Sequence, residues 1–265
     1  YSSPQTFFPL ALLATMPGGD AALPIRRQAG AVAEKVFARN PKHPGAAHYI
    51  LHAYDHGSLA SKALVAARAY AKIAPEASHA LHMPAHTFLQ LGFWDEAAAA
   101  DQASWNASIA WAKRRGLPIT SRDFHSLAWL QYEWTQQGRF SKTKEAIALV
   151  DEAMKVPIAK IQDPRPQHAG GHGYGESEIG RGNNEAALRN DRGSMRARYI
   201  IESERWSEMK GQTTFDNIET FRPTLYYGVP ALYAAQLAAL EKGGRDLSSV
   251  RACVSAGEAL PAEIF

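Results

Sequence analysis

Along the first 221 residues, apolar side chains return every three or four positions and strict alternation is rare. That period marks helices with one buried face. Alanine, leucine and other strong helix formers fill the segments. Glycine and proline punctuate them at Pro44-Gly45, Gly57, Pro75, Gly92, Gly116, Pro118, Gly138, Pro157 and Gly182. Such breaks predict short connections and therefore antiparallel neighbours. The pattern predicts helices over Ala60–Ala74, Asp95–Ala112 and Lys142–Met154. The apolar run Thr6–Met16 contains Pro9 and falls short of the ~20 residues of a membrane span, so it reads as a first helix packing inward.

The punctuation repeats. Gly57 is followed two residues on by Leu59, Gly92 by Trp94 and Gly138 by Phe140, while Glu204 takes the glycine place before Trp206. A tight turn calls for a residue without a side-chain clash. The bulky residue then wedges between the two helices of a hairpin, and small alanines let the next helix approach. The first step matches a hairpin of ~34 residues and the last is close to two. The middle step is longer and predicts extra helical turns near Trp105–Arg115.

The words "LGFWDEAAAADQAS" and "QQGRFSKTKEAIALVDEA" resemble the turn and second helix of tetratricopeptide repeats. Together with the stretch from "HPGAAHYILHAYDHG" to "HMPAHTFLQLGFWDE" and with "MRARYIIESERWSEMKG", they resemble a group of bacterial tetratricopeptide proteins over about residues 5–221. The resemblance implies an all-α fold, a superhelix of antiparallel helical hairpins. Such arrays are generic binding scaffolds, so a peptide or protein partner in the concave groove is expected, with a homo-oligomer formed through an exposed end repeat as a further option.

Composition narrows the classes. With 265 residues, 46% of them apolar, the chain has enough material for a real core. The net charge is only +3 and no Lys/Arg run forms a stripe, which argues against nucleic acid. A single cysteine, Cys253, excludes an internal disulfide framework and a cysteine-based zinc ribbon. No targeting or membrane-spanning segment is expected, and a soluble protein of the bacterial cytoplasm or periplasm fits.

From Arg222 the texture changes. "RPTLYYGVPALYAAQLAAL" reads as strand, turn and helix, and "SSVRACVSAGEALP" as a second strand entering a glycine-bearing loop. These words resemble adenylate-forming acyl-CoA ligases of the benzoate–CoA ligase type over residues 222–265. The resemblance implies that Tyr227, Gly228, Ala256 and Gly257 descend from the wall of an acyl-substrate pocket. The family's phosphate loop, ATP-binding motifs and lid lysine have no counterpart in the sequence, so neither ligase activity nor a bound nucleotide is expected. The tail reads as a truncated or chimeric fragment, and a lone β-α-β piece leaves strand edges unpaired.

Histidine carries the candidate chemistry. Seven of the ten histidines fall between His43 and His86. His48, His52 and His56 are spaced i, i+4, i+8, and His79, His82 and His86 are spaced i, i+3, i+7, so each set shares a helix face. Asp55 flanks the first row, and Pro84 interrupts the second. If the rows converge, His48, His52, His82 and His86, with Asp55 or His56 added, would hold Zn, Cu or Fe through neutral imidazoles. A buried hydrogen-bonded structural cluster, or an acid–base or anion-binding role, fits the same spacing. In "HAGGHGYGESEIGRG", His168, His172 and Glu176 stand among glycines and read as a loop or a lid over the cluster. His125 lies in a helix whose Trp129, Tyr132 and Trp134 read as core. The leading expectation is a binding scaffold with a histidine-lined groove; the alternative is a metal-dependent enzyme or metal carrier.

Overall fold

The computed structural model describes residues 4–156, 185–205, 208, 225–228, 248 and 252–255. They are mainly helical, and the chain divides into two compact units, Tyr1–Asp191 and Arg192–Phe265. The division falls upstream of the change in texture at residue 222, inside a helix.

In the first unit the helices are α1 (Pro4–Ala14), α2 (Leu23–Arg39), α3 (Pro44–Ala53), α4 (Ala60–Ile73), α5 (Ser78–Gln90), α6 (Trp94–Arg114), α7 (Phe124–Gln136) and α8 (Phe140–Ala153), with 3-10 turns at Gly19–Ala22 and Ile119–Ser121. Helix α9 (Glu185–Ser203) crosses the boundary between the units. Each helix from α1 to α7 packs on its successor, and α3 also packs on both α1 and α5. That second-neighbour contact lets histidines on α3 and α5 meet. Among the described residues no helix is long and apolar enough to cross a membrane.

The expected punctuation works through helix caps. Gly92, Gly116 and Gly138 have positive φ, and so does Glu204 at 54°, the residue standing in a glycine place. At α5 the Gly92 amide reaches Leu89 O at 3.1 Å and the Phe93 amide reaches Phe88 O at 2.8 Å. The same pair of bonds recurs after α6, α7 and α9; it satisfies carbonyls that a helix end leaves open. Gly57 differs, because it is not among the positive-φ residues. Of the wedge residues, Leu59 is fully buried and Trp94 meets Tyr132 edge-on at 5.9 Å. The long middle step has its cause in α6, which runs 21 residues.

The core between the early helices is built from small residues, Ala29, Ala33, Ala47, Ala63 and Ala67, closed by Leu51, Tyr54, Leu59, Met83 and Phe88. Alanine stripes let backbones approach, and the larger residues fill the gaps between turns. On α1, Leu13 turns inward as expected while Phe7 and Phe8 stay exposed.

In the second unit, β1 (Leu225–Gly228) and β2 (Ala252–Ser255) pair in parallel with Tyr226 opposite Cys253. Parallel pairing requires a crossover connection. The expected helix between the strands, and the pocket candidates Ala256 and Gly257, lie outside the described residues; Tyr227 and Gly228 lie in β1.

Candidate metal centre

The two histidine rows face each other but sort into two groups of three. His48 and His52 of α3 join His79 of α5, and His82 and His86 of α5 join His125 of α7; within each group the ligand atoms lie within 4.8 Å of one another. The row on α5 is therefore shared, one residue to the first group and two to the second. Helix α5 runs unbroken through Pro84, which keeps His82 and His86 one turn apart on one face.

In the second group His82 Nε2 lies 3.0 Å from His86 Nε2 and 3.1 Å from His125 Nε2. The far sides of two rings are pinned: His82 Nδ1 donates to Asp101 Oδ1 at 2.5 Å and His86 Nδ1 donates to Asp55 Oδ2 at 3.0 Å. With the hydrogen on Nδ1, a neutral imidazole presents a lone pair at Nε2. Two such lone pairs at contact distance repel unless a cation sits between them. Three imidazole nitrogens around a tetrahedral ion with bonds of ~2.05 Å would stand ~3.3 Å apart, close to the spacing here. A carboxylate behind a ligating histidine fixes its tautomer and raises its basicity.

The surroundings grade from dry to wet. His82 and Asp101 are 1% and 0% exposed, while His125 is exposed. Trp129 lies against His86 at 4.3 Å and edge-on to His82 at 5.1 Å between ring centres. It is a wall of the site, whereas Trp134 is buried as the aromatic helix pattern suggested. Behind Asp101 stands Glu133, also buried. Burial pushes both carboxyl groups up, Glu133 to about 10, and their mutual hydrogen bond favours the proton on Glu133 and the charge on Asp101. Burial opposes the charge on Asp55, yet the hydrogen bond and charge of His86, Arg26 and the bond from Gln90 hold its pKa below the usual value.

In the first group His48 Nε2 lies 2.9 Å from His52 Nε2 and 3.0 Å from His79 Nε2. Burial, helped by the neighbouring His79, lowers the pKa of His48 to about 3. Burial also lowers His52, reinforced by His48, His79, His86 and Arg26. Both rings are thus neutral near pH 7, the form that binds metal.

A polar network aligns the elements. Asp123 caps α7, accepting from the Ser126 amide at 3.1 Å and from Ser126 Oγ at 2.9 Å. It also accepts from Ser78 Oγ at the start of α5, and Ser104 of α6 sits 2.8 Å from both Ser78 Oγ and Ser126 Oγ. Ser78 and Ser126 adjoin His79 and His125 in sequence, and the four buried residues tie the starts of α5 and α7 to α6.

The residues expected to form one metal site are divided: His48 and His52 fall in one group and His82 and His86 in the other, because α5 presents His79 to α3 and the next turn to α7, and Asp55 stands behind His86. His56 turns away: its Nε2 meets Asp20 Oδ1 at 3.1 Å and its Nδ1 meets Ser58. The reason is that it lies beyond the end of α3 at Ala53 and no longer follows the helical row. The lid candidates His168, His172 and Glu176 lie outside the described residues. Sequence spacing left out of the ligand set His79, the first member of its row, and His125, hidden in an aromatic stripe. It missed Asp101 and Glu133 altogether; a carboxylate inside the alanine run Ala97–Ala103 is the signal that pointed inward.

Comparison with known proteins adds one local similarity. The chain is 42% identical over 50 residues to a benzoate–CoA ligase of Thauera aromatica, covering 19% of this chain and 10% of that protein. It is 45% identical over 53 residues to a 4-hydroxybenzoate–CoA/benzoate–CoA ligase of Rhodopseudomonas palustris, covering 20% and 10%. The chain thus spans about a tenth of the length of these relatives. No family model matches the chain, and no solved structure matches it.

Proposed function

We propose that the helical unit is a metal-binding repeat protein that holds a divalent transition-metal ion on His82, His86 and His125. The observation that carries this is the convergence of three Nε2 atoms, two of them on rings whose Nδ1 hydrogens are already committed to carboxylates. His82 Nε2 has one in-plane position, and it cannot donate to one neighbour and accept from the other. One ion satisfies all three nitrogens at once. Zn, Cu and Fe(II) accept three imidazoles, and three protein ligands leave a coordination position for water or a small ligand. The exposed edge of His125 is the side from which that ligand arrives.

The rest of the unit supports a tetratricopeptide-like superhelix: recurring left-handed caps, bulky residues after the turns, and α3 packed on both α1 and α5. Such an array offers a concave surface to a peptide or partner helix. In this reading the array is the scaffold and the histidines its chemistry, as carrier or metal-dependent enzyme.

Elemental analysis of protein purified without a histidine tag tests the proposal. Bound metal that is lost in His82→Ala and His86→Ala is the expected result. Metal-free protein whose melting is unmoved by added Zn(II) would overturn it.

A further inference from the structure

We propose that His48, His52 and His79 hold a second transition-metal ion beside the first, making a two-ion centre along α3 and α5. The pairing rests on the ion assigned to His82, His86 and His125, while the second set of ligands stands on its own geometry. His48 Nε2 faces His52 Nε2 at 2.9 Å and His79 Nε2 at 3.0 Å. A single imidazole nitrogen serves one in-plane partner, so hydrogen bonding satisfies one of these contacts and a shared cation satisfies both.

The rings are held for the task. His48 stacks with Tyr49 and with Tyr70, each 5.7 Å away centre to centre, with interplanar angles of 24° and 19°. Arg26 Nη1 donates to His52 O at 2.9 Å and anchors the end of α3. His79 precedes His82 by three residues on α5, a rise of ~4.5 Å, so the two ligand sets follow one another within one turn of the same helix. The donor set is three imidazole nitrogens, suited to Zn(II) or Cu(II).

Zn(II) titration of the full chain followed by elemental analysis reads the stoichiometry. Two ions per chain are expected, falling to one in His79→Gln and in His48→Asn, and to the other one in His86→Ala. Loaded with Cu(II), the unaltered protein should give an electron paramagnetic resonance spectrum broadened by the neighbouring ion. Each variant should give an isolated, sharper signal. Saturation at one ion that His79→Gln keeps and His86→Ala loses removes the second site and leaves the first. Saturation at one ion that His79→Gln loses and His86→Ala keeps removes the pair by removing its first member. Two ions without broadening would also sink the pair. The count on the unaltered protein decides the matter even where a variant, checked by circular dichroism, does not fold.

Discussion

At the scale of single residues, the decisive group is a proton that has no room to leave. Asp101 and Glu133 are buried, with Asp101 Oδ2 and both Glu133 oxygens reached by no other hydrogen-bond donor among the described residues. Two carboxylates so placed cannot both ionise. Glu133 keeps its proton up to about 10 and donates a hydrogen bond through it to Asp101, which favours the charge on Asp101, the group that faces His82. Glu133's folded-state pKa lies above its unfolded value, so its stabilisation is complete below about 4.5 and is lost as pH rises toward 10. Glu133→Gln supplies a permanent N–H in the same place. In metal-free protein it should melt higher than the unaltered chain at pH 8.5, with the gap closing toward pH 4.5; a constant gap would refute the shared proton. Asp101→Asn instead weakens the hold on the His82 tautomer and should cost about 10- to 100-fold in Zn(II) affinity, measured by competition with a chromogenic chelator.

At the scale of elements, close approach of helices explains both what was legible and what was not. Turns and helices could be read ahead because glycine caps and alanine faces are local signals: α4, α6 and α8 lie within two residues of the ranges expected from the pattern. The site was half legible. Spacing put His48 with His52 and His82 with His86, but spacing on one helix does not say which turn faces which neighbour. His79 therefore joined α3 and His125 came from α7. Asp101 and Glu133 have no spacing rule, since their role exists only after α6 and α7 dock. Gly30 shows the same dependence. A Cβ there would run into the ring of Tyr54 from the end of α3. Ala would ordinarily help a helix by about 1 kcal/mol over Gly. Here Gly30→Ala must displace Tyr54, next to Asp55, and should cost about 1–3 kcal/mol. Urea unfolding reads the sign: a stabilised variant would mean that Tyr54 has somewhere else to go.

At the scale of the whole molecule, the histidine groups couple stability to pH, and the proposed sites would couple it to metal as well. His48 titrates near pH 3 in the folded protein against 6.5 for an ordinary histidine. Its folded-state pKa is depressed, so the unfolded chain binds the extra proton first as pH falls. Stability is unaffected by this group above 6.5 and declines between 6.5 and 3, by at most about 1.4 kcal/mol per pH unit; His52 acts in the same direction. An ion bound at the proposed sites would oppose that decline, because it would bind only the folded arrangement of neutral rings. At free Zn(II) one hundred times the dissociation constant, one site adds about 2.7 kcal/mol. Protons compete for the same nitrogens, so the gain must shrink as pH drops through the histidine range. Melting curves at pH 8, 7, 6 and 5, with Zn(II) and with chelator, should therefore converge at the acid end and separate at neutral pH. A metal-induced shift equal at pH 5 and pH 8 would mean that the ion rests on carboxylates elsewhere and not on these imidazoles.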